Sequence, residues 1–351
     1  MTMSGIFIPN DTSNTERSNP PDSLSHLFSD ELFLGKVENV AHFINRVPTG
    51  LKKFLDFCKK HHTAKKILVF GDSWVYYPSF GGDGFLPIGS DGNITDCLRD
   101  RKIVAIYKVG ANGTKLRDVL NAKHFPYYQT LFEAINPDLV FISLGGNDFA
   151  GKTNFPGFIR KRSKLMTNFE DYLNLDDIAE RFDEVRAAYL TFLKQFSTYP
   201  SVKKILTHCY DDATYSVTGF NVSVTLGMGF KPVIIGNPLF PTNNFMTQFM
   251  VQLGIPTQFQ PAIIRYMLDQ FRVQVLDKLK PDVPQFDYVN TYSVLERYAL
   301  GSLGVLQGIP LTPEDTTPKR FWLNEIHPTA EGYRILEEMI YTYGIKPALG
   351  L

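Results

Sequence analysis

The chain has little cysteine, three in 351 residues. Cys58, Cys97 and Cys209 make no C-x-x-C pair and their number is odd. Both facts argue against a disulfide framework and a structural zinc site. Metal-ligand spacing such as H-E-x-x-H is missing among the seven histidines, so no metal is expected. Excess charge is also missing. Lys plus Arg is 36 and Asp plus Glu is 36, which leaves no electrostatic drive toward nucleic acid or acidic membranes. The basic run Arg160-Lys161-Arg162-Ser163-Lys164 reads as a solvated face. No apolar run reaches the ~18 residues of a transmembrane helix. The first 25 residues hold no charged segment followed by a long apolar one, so a cytoplasmic chain is the default, with signal-independent export left open.

What remains is a chain able to build a large core, with 44% hydrophobic and 21% charged residues. Residues 1–47 read as an N-terminal arm. Its stretch 10–23 is polar and flexible, and 24–47 is irregular or helical. The main domain is expected over 48–351. Short continuous apolar runs mark buried parallel strands at Lys66–Phe70, Ile103–Tyr107, Asp138–Leu144 and Lys204–His208, with a weaker fifth at Phe286–Asn290. Helical spacing appears at 51–61, 115–121, 127–135, 175–196, 261–279 and 329–343. Strand and helix alternate, which predicts an α/β fold with a mostly parallel sheet. Two segments, 149–174 and 211–259, break the alternation. The second is rich in Phe and Met and is expected to act as a cap, with a small satellite core as the alternative.

Four short motifs carry possible chemistry. Gly71-Asp72-Ser73-Trp74 follows the first strand, where a sharp turn would lift a serine hydroxyl above the sheet edge. Gly110-Ala111-Asn112-Gly113 follows the second, where a glycine lets a backbone N–H approach an anionic oxygen. Gly145-Gly146-Asn147-Asp148 follows the third, and an asparagine amide there can donate to an oxyanion. Asn324-Glu325-Ile326-His327-Pro328 precedes the last helix, with His327 held extended by the proline. Each motif alone is as easily a turn. Together they supply a nucleophile, oxyanion donors and a base at one sheet edge. His208, Tyr210, Trp74 and Asp148 are further candidates for contact with substrate.

With these four blocks the chain resembles the SGNH, or GDSL-type, hydrolases over about residues 66–345. The resemblance implies a three-layer α/β/α sandwich around a five-stranded parallel, flavodoxin-like sheet. It implies a serine esterase or lipase working through an acyl-enzyme, with Ser73 as nucleophile and His327 as base. Gly113, or alternatively Gly110, and Asn147 then complete the oxyanion hole with the Ser73 N–H. Asn324 stands where the family has the aspartate that orients the histidine. Its amide, a main-chain carbonyl near it or the Glu325 carboxylate are the alternatives for that role. No cofactor is implied, and the expected partner is a small-molecule or lipid ester. An acyltransferase or sugar-ester deacetylase with the same residues, and a non-catalytic binding protein on the same fold, are the rival readings.

Overall fold

The computed structural model describes residues 37–39, 50–76, 93–99, 101, 103–110, 113–151, 153–163, 165–212, 246–300, 321–322 and 325–351. Strands β1 (Val37–Asn39), β2 (Lys65–Gly71), β3 (Val104–Gly110), β4 (Leu139–Ser143), β5 (Lys204–His208) and β6 (Phe286–Val289) form one sheet in the order β1-β3-β2-β4-β5-β6. The last five are parallel, with Gly71 aligned between Gly110 and Ser143. Counting the parallel strands alone, the order is 2-1-3-4-5, the flavodoxin-like winding. All five expected parallel strands are present. Their continuous apolar runs follow from burial on both faces, and every residue of β4 is buried.

The helices are α1 (Gly50–Lys60), α2 (Ser73–Tyr76), α3 (Ile94–Arg99), α4 (Leu116–Val119), α5 (Phe125–Ile135), α6 (Gly146–Phe149), α7 (Leu175–Phe196), α8 (Thr247–Gln252), α9 (Gln260–Gln270), α10 (Asp277–Leu279), α11 (Val294–Ala299), α12 (Ala330–Ile340) and α13 (Lys346–Leu349). Strand alternation sorts them into two layers. Phe70 meets Tyr128 of α5 and Phe192 of α7, and Tyr107 meets Phe54 of α1. On the opposite face Lys108 reaches Thr95 of α3, and Gly344, just past α12, lies against the β5 and β6 side chains Leu206 and Val289. A π-helical stretch, Phe271–Leu276, joins α9 to α10 inside the expected 261–279 helix.

One part of the structure differs from the expectation. The stretch 24–47, read as irregular or helical, contributes β1, which pairs antiparallel with β3. A sheet edge presents unpaired backbone groups that a passing segment can take up, and no local pattern announces that pairing. Segment 149–174 folds back on itself through an antiparallel bridge between Ile159 and Leu173, with Phe155 and Phe158 buried. Most of the expected cap, 213–245, lies outside the described residues, as does the arm 1–47 apart from β1. Among the described residues no helix is long and apolar enough to cross a membrane.

Candidate active site

The chain leaves β2 and crosses to β3 on one side, then returns to β4 on the other. Ligands of open α/β sheets bind in the crevice at the strand carboxyl ends where the winding reverses. Asp72 N donates to Ser143 O (3.0 Å), and Asp72 Oδ1 accepts from Trp74 N (3.0 Å). This turn puts Ser73 first in α2, where a helix leaves its N–H groups without intrahelical acceptors. The turn needs glycine on both sides. A Cβ on Gly71 would come 1.8 Å from Val75 Cγ2, and one on Gly110, at φ +128°, would come 2.0 Å from Gly71 O. Gly110 therefore serves the packing of β3 on β2. Gly113, at φ +77°, is exposed, and among the described residues nothing lies within 4 Å of where its Cβ would be, so its backbone is the approachable one.

His327 Nε2 lies 2.8 Å from Ser73 Oγ. Its loop is fixed downstream by Thr329, whose backbone N–H donates to Phe321 O (2.8 Å) and whose hydroxyl caps α12 at Gly332 N (3.2 Å). Burial pushes the His327 imidazole down to about 3, so at neutral pH the ring is uncharged and can accept a proton. Asn147 reaches across from the end of β4. Its Nδ2 donates to Thr114 O (3.1 Å), beside Gly113, and also faces Asp72 Oδ2 at 3.4 Å. Ser73, Gly113 and Asn147 thus lie on three neighbouring strand ends.

Asp72 is the buried hub below them. Tyr210 donates its hydroxyl to Asp72 Oδ2 (2.5 Å), and burial pushes the carboxyl up to about 7 against that bond. Tyr210 and Trp74 both line the pocket. Trp74 also donates its indole N–H to Ile326 O (3.0 Å).

Two candidates for contact with substrate are engaged elsewhere. Asp148 is fully buried, accepts from Leu116 N (2.6 Å) and Arg117 Nε (2.9 Å), and so ties α6 to α4. His208 lies beneath the indole of Trp74 at 5.3 Å. Its Nδ1 contacts Cys209 O (2.7 Å), which can only accept, so Nε2 accepts from the Ser143 hydroxyl (2.8 Å). Burial pushes this ring down to about 4. Neither residue is among those that line the pocket.

Asn324 lies outside the described residues. The Glu325 carboxylate is buried and accepts from Met246 N (3.0 Å), Thr247 N (2.5 Å) and the Thr247 hydroxyl. It holds the start of α8, and both its oxygens are occupied there. Among the described residues no group of three His, Cys, Asp or Glu could hold a metal ion.

Beside Ser73 opens a strongly apolar cavity of about 80 Å³, several times the ~10–15 Å³ that one water requires. Its walls include Met246, Ile264, Met267, Leu268 and Phe271. Four of these come from α9 and the residue after it, where the sequence pattern predicts a helix and no pocket wall. The available signal was the apolar stripe Ile264, Met267, Leu268 and Phe271, but such a stripe is as readily plain core.

No family model matches the chain, and no curated protein matches it. Solved structures do. A catalytic mutant of the acetylxylan esterase Axe2 from Geobacillus stearothermophilus is 16% identical, with 82% of this chain and 95% of that one covered, at a TM-score of 0.39. The lipase Lip_vut3 from a goat rumen metagenome is 13% identical, with 80% and 98% covered, at 0.40. The extracellular lipase from Streptomyces rimosus is 18% identical, with 82% and 99% covered, at 0.36. These three are described as an esterase and two lipases. Overlaps this distant carry no argument about function, which rests on the geometry of the site.

Proposed function

We propose that the protein is an SGNH-type serine hydrolase that cleaves carboxylic esters with apolar acyl groups. The observation that carries the reading is the 2.8 Å contact between Ser73 Oγ and His327 Nε2 at the wall of an apolar cavity. A serine needs a neighbouring base to become nucleophilic, and an uncharged imidazole meets that need.

In this reading the acyl chain lies against Met246, Met267 and Leu268, with the ester carbonyl over Ser73. The Ser73 oxygen bonds to the carbonyl carbon while its proton passes to His327 Nε2. The carbonyl oxygen takes the negative charge and accepts hydrogen bonds from the Ser73 and Gly113 N–H groups and the Asn147 amide. His327 then gives its proton to the departing alcohol oxygen as the C–O bond breaks. Water then attacks the acyl carbon and gives its proton to His327, and the bond from that carbon to Ser73 Oγ breaks as His327 returns the proton to the serine and the acid leaves. The apolar wall supports acyl groups longer than acetyl. The non-catalytic alternative would leave the Ser73–His327 contact without a purpose.

A panel of p-nitrophenyl esters of rising acyl length tests the proposal. Wild type is expected to hydrolyse medium chains faster than acetate, and Ser73→Ala to lose activity with its circular dichroism unchanged. Hydrolysis by Ser73→Ala at the wild-type rate would overturn it.

A further inference from the structure

Residue 74 is a tryptophan directly after the nucleophile, and residue 326 directly precedes the histidine. The Trp74 indole N–H donates to Ile326 O at 3.0 Å, while the side chains of their neighbours, Ser73 and His327, meet at 2.8 Å. Two adjacent residues from each loop are thus bonded in parallel, 252 and 254 positions apart in the chain. The indole is held from several sides. It stacks on His208 at 5.3 Å and takes edge contacts from Tyr210 at 4.9 Å and Tyr333 at 5.9 Å. His208 is itself fixed at both ring nitrogens. The donor is therefore locked in direction before any ligand arrives. An aliphatic side chain at 74 could fill the space but could donate nothing.

We infer that Trp74 is a positioning residue for the reaction: its indole N–H fixes the Ile326 carbonyl and so keeps His327 Nε2 on Ser73 Oγ. The inference rests on the reading of Ser73 and His327 as nucleophile and base. Small displacements of a catalytic group are costly, so the loss of this brace should appear in the chemical step rather than in binding.

The test compares wild type, Trp74→Phe and, to keep the bicyclic shape, benzothienylalanine at position 74, where sulfur replaces the N–H. Each is made with and without His327→Ala. Both replacements should lower kcat by about tenfold, and the benzothienyl variant, which keeps the shape of the pocket wall, should hold KM within about twofold. In the His327→Ala background they should lower the residual rate no further, because the brace acts through the imidazole. The ¹⁵N resonance of His327 Nε2 should also move away from its hydrogen-bonded position. A kcat within twofold of wild type for the benzothienyl variant, an equal loss in the His327→Ala background, or an unmoved Nε2 resonance would overturn the inference. If wild type hydrolysed no ester, the proposed function would fail, while the resonance would still decide the brace.

Discussion

Replacing Asp72 by Asn should change the pH dependence of stability in a specific direction. Burial moves this carboxyl from its ordinary 3.8 to about 7. A raised carboxyl binds its proton in the folded state where the unfolded chain has lost it. Its contribution therefore becomes steadily less favourable from about pH 4 to pH 7, and the full penalty applies above that. At ~1.4 kcal/mol per pH unit the penalty approaches about 4 kcal/mol, an upper figure. His208 and His327, pushed down to about 4 and about 3, act with the opposite sign over much of the same range. Asp211, also pushed up to about 7 by burial, acts with the same sign as Asp72. These other titrations cancel in the difference between wild type and Asp72→Asn. Asn keeps one acceptor and loses the other. Either Trp74 N loses its acceptor, or Asn147 Nδ2 does while the Tyr210 hydroxyl turns to accept from the new amide, a roughly constant loss of about 1 kcal/mol. Thermal unfolding from pH 4 to 8 should find Asp72→Asn equal to or below wild type at pH 4. It should rise relative to wild type by several degrees at pH 8. A difference in Tm that is the same at pH 4 and pH 8 would refute the reasoning.

Asn147→Ala should lower kcat by about 10²–10³ with the fold unchanged, the cost of losing one oxyanion donor; a loss below about threefold in steady-state assays would reduce Asn147 to a turn residue. Glu325→Gln should cost about 1–3 kcal/mol in urea unfolding, because the amide sets a donor against Met246 N or Thr247 N. Its kcat should change less than about threefold in the same preparation; a 10²-fold loss with intact fold would make Glu325 the acid behind His327.

Much of the site was legible because its parts are local. Ser73, Gly113 and Asn147 each follow a short apolar run, and a buried parallel strand announces its own end. His327 was marked by the proline after it. Lys204–His208 and the helix 175–196 also have the bounds that the apolar pattern predicts. What escaped depends on contacts across the chain. Tyr210 meets Asp72 over 138 positions, and Glu325 meets Thr247 over 78. Neither pair has a periodicity. His208 was correctly assigned to the strand end, but the pleat turns its ring under Trp74 rather than into the cavity. Asp148 shares a motif with Asn147, yet adjacent residues on α6 face different ways, and of the two Asn147 lines the pocket. Ile264, Met267 and Phe271 look like core in sequence because a pocket wall and a core face have the same spacing.

The central claim is that Ser73 is a nucleophile activated by His327. The most direct measurement is intact and peptide mass spectrometry after exposure to a fluorophosphonate. The account predicts one adduct, on Ser73, formed rapidly by wild type and at least about 10²-fold more slowly by His327→Ala. Labelling at another residue, or labelling of Ser73 at the same rate without the histidine, would contradict it.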